Sequence, residues 1–489
     1  MLEKLAKQTA IYGISTIIGR FLSYLLTPYY TRVFGQAEYG IITDIYALIP
    51  FALVVLTMGM ESGYFRFAAK ADAAGGDVEA AKKRLFSTVW GITSLAAVAF
   101  FAAVAALREP IARAMGEAYV AHPEYVVLVG AIVMFDVASC IPFSRLREQG
   151  RAGRFVTLKM LNIVLQTGLA FAFGAMGLFA TEFGVGWAFV ANLAASVITF
   201  ASILPTTNRT VPKIDWLLLA TVFSYSLPLL VSGVAGTANE FIDRQMIKYL
   251  VPENAMAQLG IYGAITKIAV VMMLFTQMYR LAAEPFFLAN YRKDDFKAMN
   301  AAALKYYIIA SMLIFLGIAL FKDLFALIVG RDFRQGIFIL PVVLGANVLS
   351  GVWLNLSFWY KREERTWLAI AVTFVGLIFT VLCNVALVPK YGYYGAAWAR
   401  LASEAAMVAV SYWLNRRYYP TPYPMARIVE YVAVALVVYG ASVAGERAIA
   451  QMAVQYVLNV VLVVAYALYV VRREKIDVAA MVRSILRRG

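Results

Sequence analysis

Long apolar runs and short polar breaks alternate along the whole chain. Runs of the ~17 to 25 residues that cross a bilayer fall at about 8 to 32, 39 to 65, 85 to 107, 123 to 144, 155 to 177, 183 to 204, 215 to 239, 258 to 289, 302 to 320, 335 to 359, 367 to 387, 394 to 415, 426 to 444 and 453 to 471. The pattern predicts an all-α integral membrane protein of about 14 transmembrane helices. Within 321 to 335, the run LFALIVG is too short to span and reads as interfacial. No polar break exceeds about twenty residues, so a soluble catalytic domain or ATP-binding cassette has no room, and neither GxxxxGKS nor GxxxxGKT occurs to hold nucleotide. The chain therefore reads as a transporter and not an enzyme.

Composition agrees: 489 residues, 62% hydrophobic and 15% charged, with mean hydropathy +0.72. The basic start MLEKLAKQTA leads into an apolar run of over twenty residues without a small-residue cleavage site, which reads as a first span, not a removed signal. A net charge of +15 would suit nucleic acid if it were clustered. Instead, of the 44 Lys and Arg residues, 30 lie in the termini and the breaks after even-numbered spans and 10 in the breaks after odd-numbered spans. That three-to-one bias is the positive-inside pattern and places both termini in the cytoplasm. The surplus sets topology and meets anionic lipid headgroups, and it requires no nucleic acid. The tail RREKIDVAAMVRSILRRG sets apolar positions against basic ones and reads as an amphipathic helix on the inner leaflet.

An internal repeat divides the chain. Tyr39-Gly40-x-Ile42-Thr43-x-Ile45 opens span two and Tyr262-Gly263-x-Ile265-Thr266-x-Ile268 opens span eight. Phe143-x-x-x-Arg147-Glu148 leaves span four as Phe358-x-x-x-Arg362-Glu363 leaves span ten, and Gly186-x-Ala188-Phe189 matches Gly395-x-Ala397-Trp398. The matches come in order, always six spans apart. They predict two pseudo-symmetric six-helix bundles around a central cavity: an N-terminal lobe over 1–206 and a C-terminal lobe over 207–420. Two additional helices follow over 421–472, then the basic tail over 473–489. Because six is even, the lobes enter the membrane from the same side, and alternating access would proceed by rocking.

Charges within apolar runs carry the functional reading, since an ionisable group at that depth meets a partner or lines a pathway. Arg280 and Glu284, and Arg400 and Glu404, are four apart and can neutralise one another along a helix. Arg20, Asp44, Asp136 and Lys267 have no such local partner, so each must find one on another helix or face water. Arg20 is either an interhelical clamp with Asp44 or Asp136 or a ligand for an anionic headgroup, and the repeat puts Asp44 and Lys267, of opposite charge, at equivalent places near the cavity mouth. Asp136 is a coupling carboxylate or a hydrogen-bonded core aspartate. Asn239, Glu240, Asp243 and Arg244 cluster at the end of span seven as a gate or a capped helix end, and Pro228, Gly233 and Gly236 should bend that span. Cys140 and Cys383 lie inside apolar runs and His122 is the single histidine, so no disulfide framework, metal site or cofactor is implied. Tyr24, Tyr29, Tyr30, Tyr391, Tyr393 and Tyr394 lie near span ends, as in interfacial belts.

The segments TPYYTRVFGQAEYGIITDIYALI, GMESGYFRF, FIDRQMIKYLVPENAMAQLGIYGAITKIA with its later EP, and NVALVPKYGYYGAAWARLASE resemble the polysaccharide transporter branch of the multidrug/oligosaccharidyl-lipid/polysaccharide exporter superfamily. These are the Wzx-type flippases of the bacterial cytoplasmic membrane, and the likeness covers about 5 to 470. The resemblance implies movement of an undecaprenyl-pyrophosphate-linked oligosaccharide, the repeat unit of an O antigen, capsule or exopolysaccharide, from the inner to the outer leaflet. Polysaccharide polymerase and glycosyltransferases are the implied partners. It carries Arg20, Lys267 and Arg280 over as substrate contacts, and Asp44 and Asp136 as groups for coupling to H+ or Na+. Glu240, Asp243 and Arg244 remain gating candidates. The alternatives, in order, are a lipid II flippase, a multidrug or cation exporter, and an integral-membrane glycosyltransferase or polymerase. An exporter of cations would have twelve spans and an acidic cavity, against about fourteen spans and the cations Arg20 and Lys267 here, and the last alternative would need a large external loop.

Overall fold

The computed structural model describes residues 24–475 except 76, 208, 209, 291, 292, 294, 364, 366 and 450. The first part of predicted span one and most of the basic tail lie outside them. The chain forms two compact units, Met1–Gly263 with Val388–Tyr393, and Ala264–Leu387 with Tyr394–Gly489.

In the first unit the helices are α1 (Leu26–Val33), α2 (Gln36–Thr57), α3 (Met60–Ala74), α4 (Val78–Ala106), α5 (Arg108–Met115), α6 (Glu117–Val120), α7 (Glu124–Glu148), α8 (Ala152–Ala175), α9 (Gly186–Ile203) and α10 (Trp216–Leu250). Local chemistry sets several boundaries. Glu38 reaches back to the Gly35 N–H at 2.8 Å to start α2, and Met58 and Gly59, both left-handed, separate α2 from α3. Asp77 caps α4 through the Ala80 N–H at 3.0 Å. α7 is the hub, packed by α4 and α9. Two thirds of its apolar window is buried, against 11% for α8, which therefore lies at the periphery. Met60, Tyr64, Phe86, Trp90, Ile141 and Val222 form a core, and the Trp90 indole donates to the Ala138 carbonyl at 2.9 Å, satisfying its N–H inside that core.

α11 (Ala255–Ile268) begins in the first unit and ends in the second. The second unit continues with α12 (Val270–Asn290), α13 (Phe296–Ala319), the short α14 (Lys322–Ala326), α15 (Leu340–Leu356), α16 (Phe358–Arg362), α17 (Trp367–Tyr418), α18 (Met425–Ala448) and α19 (Met452–Glu474). α13 packs on α15 and α18, and α18 on α19. Trp359 stacks on Tyr419, with centroids 5.7 Å apart and planes 3° from parallel.

Among the described residues, eleven helices are long and apolar enough to cross a membrane, twelve with the bent pair α11 and α12. α17 has 52 residues, about 78 Å of helix at 1.5 Å per residue, which is more than twice the ~30 Å hydrocarbon core. It breaks at Gly392, at φ 56° and ψ −137°, between predicted spans eleven and twelve. Two boundaries differ from expectation. α10 runs unbroken through Pro228 to Leu250 and does not stop near 239, because its polar last turns find partners on neighbouring elements. Span eight is not one rod, since α11 and α12 meet at a 50° bend about Ala269. The stretch between predicted spans nine and ten forms the five-residue α14 and a 3-10 stretch over Arg331–Ile339, too short to span.

Candidate functional site

α2 and α10 pack antiparallel. Phe51 stacks on Phe241 with centroids 5.0 Å apart, and two turns away the same faces bring Asp44 to Gln245 and Lys248. Lys248 Nζ donates to Asp44 Oδ2 at 2.5 Å, Gln245 Nε2 to Oδ1 at 2.6 Å, and the Tyr119 hydroxyl of α6 to Oδ2 at 2.6 Å. The Lys248 ammonium also lies 4.7 Å from the Tyr119 ring centroid, and the Tyr249 hydroxyl donates to the Ala114 carbonyl of α5 at 3.0 Å. The side chains of Lys248 and Asp44 are 5% and 2% exposed. Desolvating two ions costs several kcal/mol each, which their mutual attraction and the two neutral donors offset. Burial and the Asp44 carboxylate push the Tyr119 phenol well above its ordinary value, so it stays a donor.

Beside this pair, α2 crosses α11 with backbones almost touching. A Cβ on Gly40 would fall 2.0 Å from the Met256 carbonyl oxygen, one on Gly260 2.0 Å from that of Gln36, and one on Gly263 2.2 Å from Thr43 Oγ1. Gly40 and Gly263 are the matched glycines of the repeat, so the repeated Tyr-Gly-x-Ile-Thr motif is a close-packing device. Its tyrosines and isoleucines, Tyr39, Ile42, Ile45, Tyr262, Ile265 and Ile268, are all buried. Gln258, two residues beyond Met256, accepts the Tyr393 N–H at 3.1 Å and so holds the break of α17.

The expected site residues that the structure describes lie on α2, α7, α10, α11 and α12. Arg20 lies outside the described residues. Asp44 finds its partner on another helix, as its lack of a local one requires. Asp136 is half-buried on α7, with Ser196 and Lys159 as polar neighbours. Asp243 is buried and Arg244 half-buried in α10; they lie within the helix and not at its end, and the side chain of Glu240 is not among those described. Lys267 is exposed at the end of α11, one residue before the helix ends at the bend. Arg280 meets Glu284 at 3.3 Å and remains half exposed, the local pairing that their spacing predicts.

Lys248, Gln245 and Tyr119 are residues of this site that hydropathy misses. Lys248 follows the end of an apolar run and reads as a loop charge. The signal that finds it is helical: Phe241, Gln245 and Lys248 recur at i, i+4 and i+7, matching Asp44 and Phe51 seven apart on α2.

A probable low-salt glycan biosynthesis flippase, Agl15 of Haloferax volcanii, is 23% identical over 285 residues, which is 57% of this chain and 58% of that one. The chain thus aligns with well under two thirds of that relative. Among solved structures, the lipid II flippase MurJ in an inward closed conformation superposes with a TM-score of 0.77 at 13% identity, covering 96% of this chain and 100% of that one. An inward-facing MATE multidrug transporter of the MOP superfamily superposes at 0.67 and 15% identity, covering 82% and 94%. The fold is thus that of MurJ and MATE transporters. The family model described as polysaccharide biosynthesis protein matches residues 5–288, more than half of the sequence, and the chain belongs to that family.

Proposed function

We propose that this protein is a flippase of the cytoplasmic membrane, moving an undecaprenyl-pyrophosphate-linked oligosaccharide repeat unit of an O antigen, capsule or exopolysaccharide to the outer leaflet. The observation that carries the reading is the polysaccharide biosynthesis family match over 5–288 on a transporter fold. The physical task fits such a chain: a diphosphate and a hydrophilic glycan cannot cross hydrocarbon unaided, and translocation requires no bond making. In this reading both termini are cytoplasmic and transport proceeds by alternating access coupled to H+ or Na+. Arg20, Lys267 and Arg280 contact the pyrophosphate or acidic sugars. Asp136 serves coupling, and Asp243, Arg244 and Glu240 serve gating. Asp44, paired with Lys248, acts as a latch near the outer ends of α2 and α10, where charge pairing competes with ion binding. Polymerase and glycosyltransferases supply and consume the substrate.

The test is translocation in proteoliposomes, with fluorescent undecaprenyl-pyrophosphate-oligosaccharide and lipid II in parallel, scored by protection from an external quencher. Movement of the oligosaccharide lipid is the expected result. The likeness to MurJ over nearly the whole chain favours lipid II as the second reading, and movement of lipid II alone would establish it. Movement of neither by intact protein overturns both.

A further inference from the structure

A cavity of about 300 Å³ lies among α2, α4, α5 and α7 of the first unit, and every residue that lines it is apolar. Along α2 its lining runs from Ile45 to Leu56, about 16 Å of helix at 1.5 Å per residue. That is one leaflet of the ~30 Å hydrocarbon core. Its volume is about twice the ~150 Å³ of an apolar cavity that stays dry and takes up benzene, room for on the order of a dozen carbons. Water has no polar partner there, and the phase around these helices is hydrocarbon.

The helix that forms one wall also carries charge. Ile111 and Met115, four apart on α5, contribute to the lining, while Arg108 and Arg113 of the same eight-residue helix are exposed. Arg113 meets Glu109 at 3.7 Å, which leaves the helix with a net positive charge from Arg108. An apolar slot one leaflet deep beneath a cationic interfacial helix matches an anionic lipid with its phosphate at the arginines and one chain lying down the slot.

We propose that this cavity seats one acyl chain of an anionic phospholipid, with its phosphate at Arg108 and Arg113. The site has a consequence for the latch. The α5–α6 hairpin, whose α5 lines the slot, also supplies the Tyr119 hydroxyl to Asp44 and the Ala114 carbonyl to Tyr249. A seated chain braces that hairpin, so occupancy tunes how firmly the Asp44–Lys248 pair is held.

The experiment uses the full chain in detergent with phosphatidylglycerol carrying a photoreactive diazirine at mid-chain, and maps labelled peptides by mass spectrometry. The expected result is labelling within 45–56 and 126–133, falling on the order of tenfold in R108Q/R113Q and with a phosphatidylcholine probe of the same chain. Ala52→Phe, which fills the slot, should lower the yield similarly. The arginine variant alters exposed positions only, so it decides the matter even if Ala52→Phe fails to fold. Labelling confined to other segments, or equal yield in the arginine variant and with phosphatidylcholine, overturns the proposal. So does labelling of these peptides by a polyprenyl-phosphate probe alone.

Discussion

Two buried carboxylates, Asp44 in the first unit and Glu474 in the second, are held in contrasting ways. Among the described residues, Asp44 has one cation, Lys248, and two neutral donors. Glu474, at the end of α19, receives Lys305 of α13 together with Arg427 and Tyr431 of α18. Beside it Glu430 of α18 takes two hydrogen bonds from Arg473 of α19 at 3.0 and 3.1 Å. The far ends of these helices are also tied: Lys322 meets Glu446 at 2.5 Å, and Asn459 donates to the Leu320 carbonyl at 2.6 Å. Several cations at one end, with an ion pair and an amide hydrogen bond at the other, tie α13, α18 and α19 together at more than one point. One ion pair beside a tight glycine crossing makes a contact that a single charge change can undo, which is what a latch requires.

The largest expected effect breaks that contrast directly. Lys248→Met leaves Asp44 buried without its cation, and removing one member of a buried pair typically costs ~3–5 kcal/mol. Lys305→Met leaves Glu474 with Arg427 and Tyr431, so its loss should be at most about half as large. Thermal unfolding in detergent measures both, and equal losses would remove the distinction between latch and body. In D44L/K248M, stability should largely return, since replacing a buried pair by apolar groups is often neutral. Translocation should not return with it.

The next effect tests the crossing. Gly40→Ala and Gly260→Ala each place a methyl 2.0 Å from a backbone carbonyl oxygen, where no flexible side chain can yield, and overpacking of this kind costs about 1–3 kcal/mol. A Cβ on Gly236 or Gly317 would meet nothing within 4 Å. There the same change should stabilise by ~0.5–1 kcal/mol through helix propensity. If all four variants behave alike, the motif glycines serve helix propensity and not contact.

This glycine contrast also shows what can be read from the chain alone. Hydropathy marks the spans because burying backbone in lipid demands long apolar helices, and the Arg280–Glu284 pair follows from helical spacing. The Tyr-Gly-x-Ile-Thr repeat is visible, but its meaning as a close crossing is not, because a glycine's neighbour is set by another helix. Lys248 is hidden for a related reason. Polar residues from 239 onward close the apolar run and shorten the predicted span, whereas the helix continues to a lysine whose charge Asp44, 204 residues away, accepts. Hydropathy weighs each residue against solvent or lipid and is blind to a partner.

A smaller effect separates transport from stability. Arg280 is half exposed and its pair with Glu284 lies along one helix, so Arg280→Ala should cost no more than ~0.5 kcal/mol. Loss of translocation at unchanged melting temperature would assign it to the substrate path. Normal translocation would leave it a local ion pair.

The smallest effect lies outside the spans. Asp215 caps α10 through the Leu217 and Leu218 N–H groups at 3.2 and 3.1 Å and pairs with Arg84 of α4, while the Thr88 hydroxyl accepts the Asp215 N–H at 3.2 Å. The Leu218 N–H first, then Arg84, hold its carboxyl below the ordinary carboxylate value. A depressed pKa means that the folded chain binds fewer protons than the unfolded chain. The contribution is therefore present above the unfolded value of ~3.9 and is lost as pH falls through the lower folded value. Asp215→Asn keeps a capping oxygen, so stability at pH 7 should change little, whereas the difference from the parent chain should shrink further as both are acidified below about pH 4. An acid limb identical in the two proteins would mean that Asp215 contributes nothing to it.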